Sequence, residues 1–282
     1  MTKRAVALLT LPLLLVCAFR SPVQRPTPTS RSTAPRKVAI IVEENRAYGT
    51  IVGSNQAPYI HRTLIAHGAL LTNYYAITHP SLPNYLALDS GSTQGCTSDV
   101  CGSYGARDLG GQLTRAGKSW AGYMESMPRP CARASSGQYA AKHNPFVHFT
   151  DVLKNRCAGH VLPMPKRIPS SLRRFTWFAP NLLNDTDDGT IQRGDTWLKD
   201  HVPAIMRALG PRGLLIVTWD EGSYSQRVSH IATILYGPIV RHGIKISRRV
   251  NHYSLLRLIE SRLRVSHLGK ARRATRIRGW HR

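Results

Sequence analysis

The sequence predicts an α/β fold in which helices cover both faces of a mostly parallel sheet. Two apolar, β-branched runs, KVAIIV at 37–42 and GLLIVTW at 213–219, are typical of strands that are buried on both faces. Segments with helical spacing alternate with such runs, and this order favours parallel strands joined by helices. The chain has 282 residues, of which 42% are hydrophobic, enough for one large domain with a real core or for two small ones.

The other predicted elements follow in order along the chain. APYIHRTLIAHG, at 57–68, has helical spacing and stops at a glycine. SLPNYLALDSG, at 81–91, has a proline in what would be the first turn of a helix, a position that proline favours. Further helices are predicted at 110–117, 194–210 and 251–263, and further strands at 119–124, 174–181 and 229–238.

The first 18 residues are predicted to be a signal peptide for export. The basic segment MTKR precedes the apolar segment AVALLTLPLLLVCA, which is too short and too poorly flanked for a membrane span. Lipid attachment at Cys17 is the less favoured alternative, because the small residue that should precede a lipidated cysteine is missing. We therefore expect a secreted or cell-envelope protein without a transmembrane span.

Residues 19–37 form a segment rich in Pro, Ser, Thr and Arg, which contains too few apolar side chains to pack. This composition predicts a disordered linker. We expect the folded domain at 38–264 and a basic C-terminal tail at 265–282.

The net charge of +24 is spread unevenly along the chain. Residues 1–37 carry seven Lys or Arg residues and no acid, and residues 241–282 carry thirteen with one glutamate. The tail is therefore predicted either to be a solvated terminus or to contact an anionic surface. It contains few aromatic side chains on which bases could stack, which argues against specific nucleic-acid binding.

Four cysteines remain in the chain after the signal segment, at Cys96, Cys101, Cys131 and Cys157. An even number of cysteines in an exported protein predicts two disulfides, for which three pairings exist. We expect Cys96–Cys101 with Cys131–Cys157, because each bridge then closes a loop without crossing the other. A zinc site is the alternative, but the sequence has no CxxC pair to support it.

Polar residues follow the predicted strands at their carboxyl ends. Glu44 and Asn45 come after the first apolar run, and Asp220 and Glu221 come after the second. The ligand sites of open α/β sheets lie at this edge, and clustered oxygen donors suit divalent cations. The alternative is that these acids are solvated turns at strand ends.

A second feature is the segment HPSLPNY at 79–85, in which two prolines restrain the backbone around Ser81. Ser81 is predicted either to cap a helix or to direct its hydroxyl at a reacting group. Three more polar segments stand out, namely HNPF at 143–146, NDTDDGTIQRGD at 184–195 and NH at 251–252. A histidine beside a helix N-terminus binds phosphate well, whereas NDTDDG has a calcium or turn loop as its alternative. The chain contains no GxSxG, GxxxxGK or HExxH motif.

Several of these segments follow one another in a specific order along the chain. In that order they are VEEN, HPSLPNYLAL, HNPF, PNLLND, TWDEG and NHYSLLRLIE. This ordered set resembles the phosphoesterase family of bacterial and fungal acid phosphatases and phospholipases C, which is part of the alkaline phosphatase-like superfamily. The resemblance covers about residues 37–262. It implies a three-layer α/β/α sandwich and hydrolysis of phosphate esters with a divalent metal ion, whose identity the sequence leaves open.

The resemblance also implies roles for individual residues. The metal ligands would be Glu44, Asn45, Asp220 and Glu221. The catalytic residues would be Ser81 as the nucleophile with His143 and His252. The substrate would contact Asn84, Asn144, Asp185 and Asp188.

Two positions complicate this assignment. Thr78 is the alternative nucleophile, although it lacks the flanking prolines of Ser81. Asp187 stands where relatives commonly have histidine, and a carboxylate cannot donate to phosphate as an imidazolium does.

The sequence therefore predicts an exported, metal-dependent acid phosphatase that cleaves phosphate monoesters through a phosphoserine on Ser81. A phospholipase C or phosphodiesterase acting on lipid headgroups is the alternative enzyme, although the short chain favours the small phosphatases. A catalytically inactive secreted protein that binds polyanions is the alternative of another class.

Overall fold

The computed structural model describes residues 1–2, 36–223 and 228–282. Almost all of the predicted signal peptide and of the predicted linker lies outside the described residues. From residue 36 onward, the described residues belong to one compact unit.

An eight-stranded sheet forms the centre of this unit. Its strands are β1 (Val38–Glu43), β2 (Ala69–Leu71), β4 (Trp120–Met124), β5 (Val161–Pro163), β6 (Phe175–Ala179), β7 (Leu214–Trp219), β8 (Thr233–Tyr236) and β9 (Ile244–Ile246). They lie in the order β5-β4-β6-β1-β7-β8-β2-β9, and a separate pair joins β3 (Tyr74–Tyr75) to β10 (Val250–Asn251).

All neighbours from β5 to β7 are parallel, whereas β8 runs antiparallel to both β7 and β2. Every residue of β1 and β7 is buried, which explains why both strands appear in the sequence as uninterrupted apolar runs. The predicted α/β fold with a mostly parallel central sheet is thus confirmed. The short strands β2, β5 and β9 were not predicted, because three residues give too little pattern to detect.

The α-helices are α1 (Tyr48–Ile51), α2 (Ser81–Ser90), α3 (Leu109–Arg115), α4 (Thr150–Lys154), α5 (Cys157–His160), α6 (Ile191–Leu209) and α7 (His252–Leu263). The segment predicted as a helix at 57–68 contains a π-helical stretch, Ile60–Ile65. Short 3-10 turns lie at Ala141–His143, Pro145–His148 and Gly269–Arg272. Helix α7 packs against α2 and β1, while α6 packs on β1 and β7.

Helix α2 is buried along its whole length. It ends at Gly91, whose φ of 74° is a left-handed conformation that glycine adopts without a steric penalty. A Cβ at Gly91 would lie 2.5 Å from the carbonyl oxygen of Leu268, so a larger residue would also displace the C-terminal segment.

The C-terminal segment 265–282 packs on the domain. Leu268, Ala271, Ile277 and Trp280 are buried, and the backbone N–H of Leu268 donates to Oε1 of Glu260 at 2.7 Å. The charge of this segment led to its prediction as a separate tail, but four of its apolar side chains, which are spaced among the basic residues, are buried in the protein.

Both predicted disulfides, Cys96–Cys101 and Cys131–Cys157, are present, which confirms this pairing. Within the described part of the chain, no helix is both long enough and apolar enough to cross a bilayer.

Candidate active site

The four predicted metal ligands lie together where β1 and β7 end. Because Glu43 pairs with Trp219 in the parallel register, the residues that follow the two strands are neighbours. The backbone N–H of Asn45 donates to Oδ1 of Asp220 at 3.2 Å. Asn45 has a φ of 55°, a left-handed conformation that asparagine tolerates better than most residues.

Ser81 begins helix α2 directly beside this cluster and is only 2% exposed. Its hydroxyl donates to Oε2 of Glu44 at 3.0 Å, and Tyr85, one turn later, donates to Oε1 of the same carboxylate. Pro80 occupies the N-cap of α2, so Ser81 does not cap the helix. The capping interpretation of this serine is therefore wrong.

Thr78, the alternative nucleophile, donates its hydroxyl to the carbonyl of His79 at 3.1 Å. Asn84 fixes this segment from α2, because its Oδ1 accepts the backbone N–H groups of Ile77 and Thr78. The Nδ2 group of Asn84 also donates to Oε2 of Glu221 at 3.0 Å. In this structure Asn84 therefore braces the loop that leads to Ser81 and touches one predicted metal ligand.

His79 is a site residue that the sequence analysis missed. Its Nδ1 lies 3.0 Å from Oε2 of Glu221. It belongs to the HPSLPNY segment itself, so its position beside Ser81 was the available signal.

His143 enters the cluster from the 3-10 turn Ala141–His143. Its Nδ1 lies 3.0 Å from Oδ2 of Asp185, and its Nε2 lies 3.3 Å from Oε1 of Glu44. The imidazole stacks on the ring of Tyr85, with 5.4 Å between the ring centroids. His143 is thus held between two carboxylates and an aromatic face.

Asp187 also belongs to the cluster. Its Oδ1 accepts from Nδ2 of Asn45 at 2.6 Å, and its Oδ2 lies 3.1 Å from Nζ of Lys142. Lys142, which the sequence analysis missed, also approaches Asp99 at 3.6 Å. Although burial alone would lower the pKa of Lys142, the charges of Glu44 and Asp187 raise it, so this lysine is a permanent cation.

Two predicted residues lie elsewhere. The buried amide of Asn144 donates to the hydroxyl of Tyr139 at 2.9 Å. Asp188 is exposed, and no contact of its side chain with the cluster occurs in the described ranges. Neither side chain is brought to Ser81 in this structure.

His252 is fully buried and contacts the cluster only through the backbone. Its Nε2 lies 2.6 Å from the carbonyl oxygen of Asp220, which can only accept, so Nε2 carries the proton. Its Nδ1 therefore accepts from the hydroxyl of Tyr74 at 2.9 Å. Burial lowers the pKa of His252 to about 4, so the ring is neutral and holds Asp220 in place.

The pKa values of the carboxylates in the cluster are raised. Burial, followed by the charges of Asp220 and Asp185, raises the pKa of Glu44 well above its ordinary value. Burial raises the pKa of Asp220 to about 6, and burial together with the charge of Asp220 raises the pKa of Glu221 to about 9. Such crowding of buried acids calls for a compensating cation.

Two observations fit a divalent metal ion here. The buried oxygens Asn45 Oδ1, Asp220 Oδ2 and Glu221 Oε1 have no hydrogen-bond partner among the described residues. In addition, Glu44, His143 and Asp187 each offer a ligand atom, and these atoms lie within 4.8 Å of one another. The second set shares only Glu44 with the predicted ligands. His143 and Asp187 are thus further candidate ligands.

Comparisons with known proteins identify the family of the chain. The model of the phosphoesterase family matches residues 54–266. The chain is 39% identical over 228 residues to a phosphatidylinositol-3-phosphatase of Mycobacterium tuberculosis, a match that covers 79% of this chain and 75% of that protein. It is 28% identical to an acid phosphatase of Aspergillus fumigatus, with 73% of this chain and 51% of that protein covered, so it spans about half the length of this relative.

Solved structures share the fold. A protein of the alkaline phosphatase superfamily from Vibrio parahaemolyticus aligns with a TM-score of 0.61 at 13% identity, covering 82% of this chain and 67% of that one. Human ectonucleotide pyrophosphatase / phosphodiesterase 5 aligns with a TM-score of 0.58 at 11% identity, covering 83% and 97%.

Proposed function

The chain belongs to the phosphoesterase family and is a hydrolase of phosphoric esters, and from this premise we propose that it cleaves phosphate monoesters with Ser81 as the nucleophile. The contact between the Ser81 hydroxyl and Glu44 Oε2, within a cluster of buried carboxylates, carries this proposal. The hydroxyl of Ser81 donates to a carboxylate at 3.0 Å, whereas the hydroxyl of Thr78 donates to a backbone carbonyl.

The proposed reaction has two steps. Ser81 Oγ attacks phosphorus and passes its proton to Glu44, while the bond from phosphorus to the leaving oxygen breaks and that oxygen takes a proton from water. The resulting hydroxide attacks the phosphoserine, and Glu44 returns its proton to Ser81 Oγ, which releases hydrogen phosphate and restores the hydroxyl. Tyr85 and His143 contact the Glu44 carboxylate from other sides and hold it toward Ser81.

Glu44, Asn45, Asp220 and Glu221 are the proposed metal ligands, with His143 and Asp187 beside Glu44 as further donors. A bound divalent cation would lower the pKa of the attacking hydroxyl and neutralise charge on the phosphoryl oxygens. Lys142 adds a permanent positive charge at the same edge of the cluster. Asp185 orients His143 through Nδ1, and His252 positions the backbone of Asp220.

Substrate choice is tested by comparing p-nitrophenyl phosphate, bis-p-nitrophenyl phosphate and phosphatidylcholine. We expect rapid turnover of the monoester and slow turnover of the other two. Preference for the diester or for the lipid would favour a phosphodiesterase or a phospholipase C instead. Absence of turnover with all three in the metal-loaded protein would favour a secreted polyanion-binding protein.

A second candidate is the 3-phosphate of phosphatidylinositol 3-phosphate, which is favoured by the mycobacterial relative. This lipid is itself a phosphate monoester, so the same reaction applies to it. Comparing its turnover with that of p-nitrophenyl phosphate at matched concentrations distinguishes a lipid phosphatase from a general acid phosphatase.

Export is also proposed. Its support is the basic and then apolar order of residues 1–18, together with two disulfides, which form in oxidising compartments. Expression of the full chain tests this proposal. Mature protein that lacks residues 1–18 and is recovered outside the cytoplasm would support export, whereas uncleaved protein in the cytoplasm would contradict it.

A further inference from the structure

A cavity of about 470 Å³ opens beside the N-terminus of α7. Strands β3 and β10 form one side of it, through Tyr75 and Asn251, and the C-terminal segment forms the other. It is separate from the carboxylate cluster, because none of the residues around Ser81 lines it.

The cavity carries a concentrated positive charge. Arg249, Lys270 and Arg273 line it, and none of the described residues that line it is acidic. In the described ranges, none of these three cations forms an ion pair with a carboxylate. The guanidinium of Arg249 lies 3.9 Å from the centre of the Tyr75 ring, and this contact holds it at the rim. The cavity therefore attracts an anion.

A buried hydroxyl lies in the same wall. Tyr253 lines the cavity and is 7% exposed, yet its hydroxyl has no hydrogen-bond partner among the described residues. A buried hydroxyl without a partner is unfavourable, so an acceptor brought to this wall of the cavity would stabilise it. The Nζ of Lys270 lies 5.4 Å from the centre of the Tyr253 ring, which places a cation over this ring.

The N-terminus of α7 completes the cavity. Asn251 caps this 12-residue helix by accepting from the backbone N–H of Ser254, and both residues line the cavity. The unpaired N–H groups and the dipole of a helix favour negative charge at this end. Three cations, a tyrosine with an unpartnered hydroxyl and a helix N-terminus thus line one cavity.

We propose that this cavity binds a phosphate oxyanion distinct from the phosphate that Ser81 attacks. Arginine and lysine donors, a tyrosine hydroxyl and a helix N-terminus match the several acceptor oxygens of such a group. The source of the group is either inorganic phosphate, which the reaction releases, or the phosphodiester headgroup of an acidic phospholipid.

The cavity lies near the reaction centre. Ser81 lies five positions after Ala76, which is in the cavity wall, so the two Cα atoms are at most about 19 Å apart. Next to Asn251, His252 contacts the carbonyl of Asp220. An acidic lipid bound in the cavity would therefore hold the reaction centre close to the membrane surface.

The test measures inorganic phosphate binding to the full chain by titration calorimetry. The variants are Arg249→Gln combined with Lys270→Gln, and Tyr253→Phe, which removes one hydroxyl without changing charge. Arg248→Gln is the matched control, because Arg248 carries the same charge at the adjacent position but does not line the cavity. We expect the double variant to weaken one class of phosphate sites by about tenfold or more, and Tyr253→Phe to weaken it less.

A second arm uses vesicles of phosphatidylcholine alone or of phosphatidylcholine mixed with phosphatidylglycerol in equal amounts. Loss of phosphate binding and of mixed-vesicle binding together identifies the lipid headgroup as a ligand. Loss of phosphate binding alone identifies free phosphate. If the double variant and Tyr253→Phe bind both like the Arg248→Gln control, the proposal is overturned. Hydrolysis of p-nitrophenyl phosphate is measured in parallel, so that failure of the Ser81 reaction is seen separately.

Discussion

Ser81 Oγ lies 3.0 Å from Glu44 Oε2, although 37 positions separate the two residues in the chain. The contact arises because α2 begins beside the carboxyl end of β1, and Glu44 directly follows this strand. Both side chains are buried, so the hydroxyl has few competing partners. In the proposed reaction, the nucleophile therefore depends on the placement of the first turn of α2 beside the end of β1.

Lys142 is expected to stabilise negative charge during the reaction. Lys142→Met removes the ammonium that lies 3.1 Å from Asp187, and we expect turnover of p-nitrophenyl phosphate to fall by about ten- to a hundredfold. Lys154→Met, at the end of α4, is the matched control and should keep full activity. Equal activity of the two variants would show that Lys142 serves only to neutralise Asp187.

Asp220 is expected to be required for metal binding. Asp220→Ala removes a buried oxygen donor at the end of β7, so metal content and turnover should fall together while the circular dichroism spectrum is retained. Asp200→Ala changes an exposed aspartate on α6 and controls for the loss of one charge. Full activity of Asp220→Ala, and of wild-type protein treated with a chelator, would contradict the metal assignment.

Glu260 is expected to make stability depend on pH. Burial raises the pKa of Glu260 to about 8 in the folded protein, whereas the unfolded chain has a value of about 4.3. The folded state therefore holds the proton more tightly, and the free energy of unfolding should decrease as pH rises from about 5 to about 8.

Glu260→Gln keeps an acceptor for the Leu268 N–H but cannot ionise, so its melting temperature should vary less over this pH range. Thermal melts of both proteins at several pH values check this expectation. An equal decrease in melting temperature for the variant and the wild type would mean that another group causes the pH dependence.

The sequence predicted which side chains lie together where strand ends and local motifs determine their positions. Glu44 and Asp220 lie side by side as expected, because the parallel register of β1 and β7 sets their positions, and Ser81 reaches Glu44 from the start of α2. Lys142 and His79 were missed, because each reaches the cluster by a loop path that no periodicity reveals.

His252 shows that a motif alone does not determine what its side chain contacts. Its motif suggests a catalytic role, but whether a histidine faces a reacting group or a carbonyl depends on side-chain packing. Asn144 was likewise expected at the substrate and instead donates to Tyr139. The position of the C-terminal segment also eluded prediction, since its charge concealed four apolar side chains that pack on the domain.

The most direct test of the central claim is to trap the covalent intermediate on Ser81. Wild-type protein is mixed with substrate that carries labelled phosphate, quenched in acid and digested, and the peptides are sequenced. We predict that the label maps to Ser81 and is absent from Ser81→Ala, whose turnover should fall by several orders of magnitude, while Thr78→Val still acquires label. Label on Thr78, or wild-type turnover by Ser81→Ala, would contradict the account.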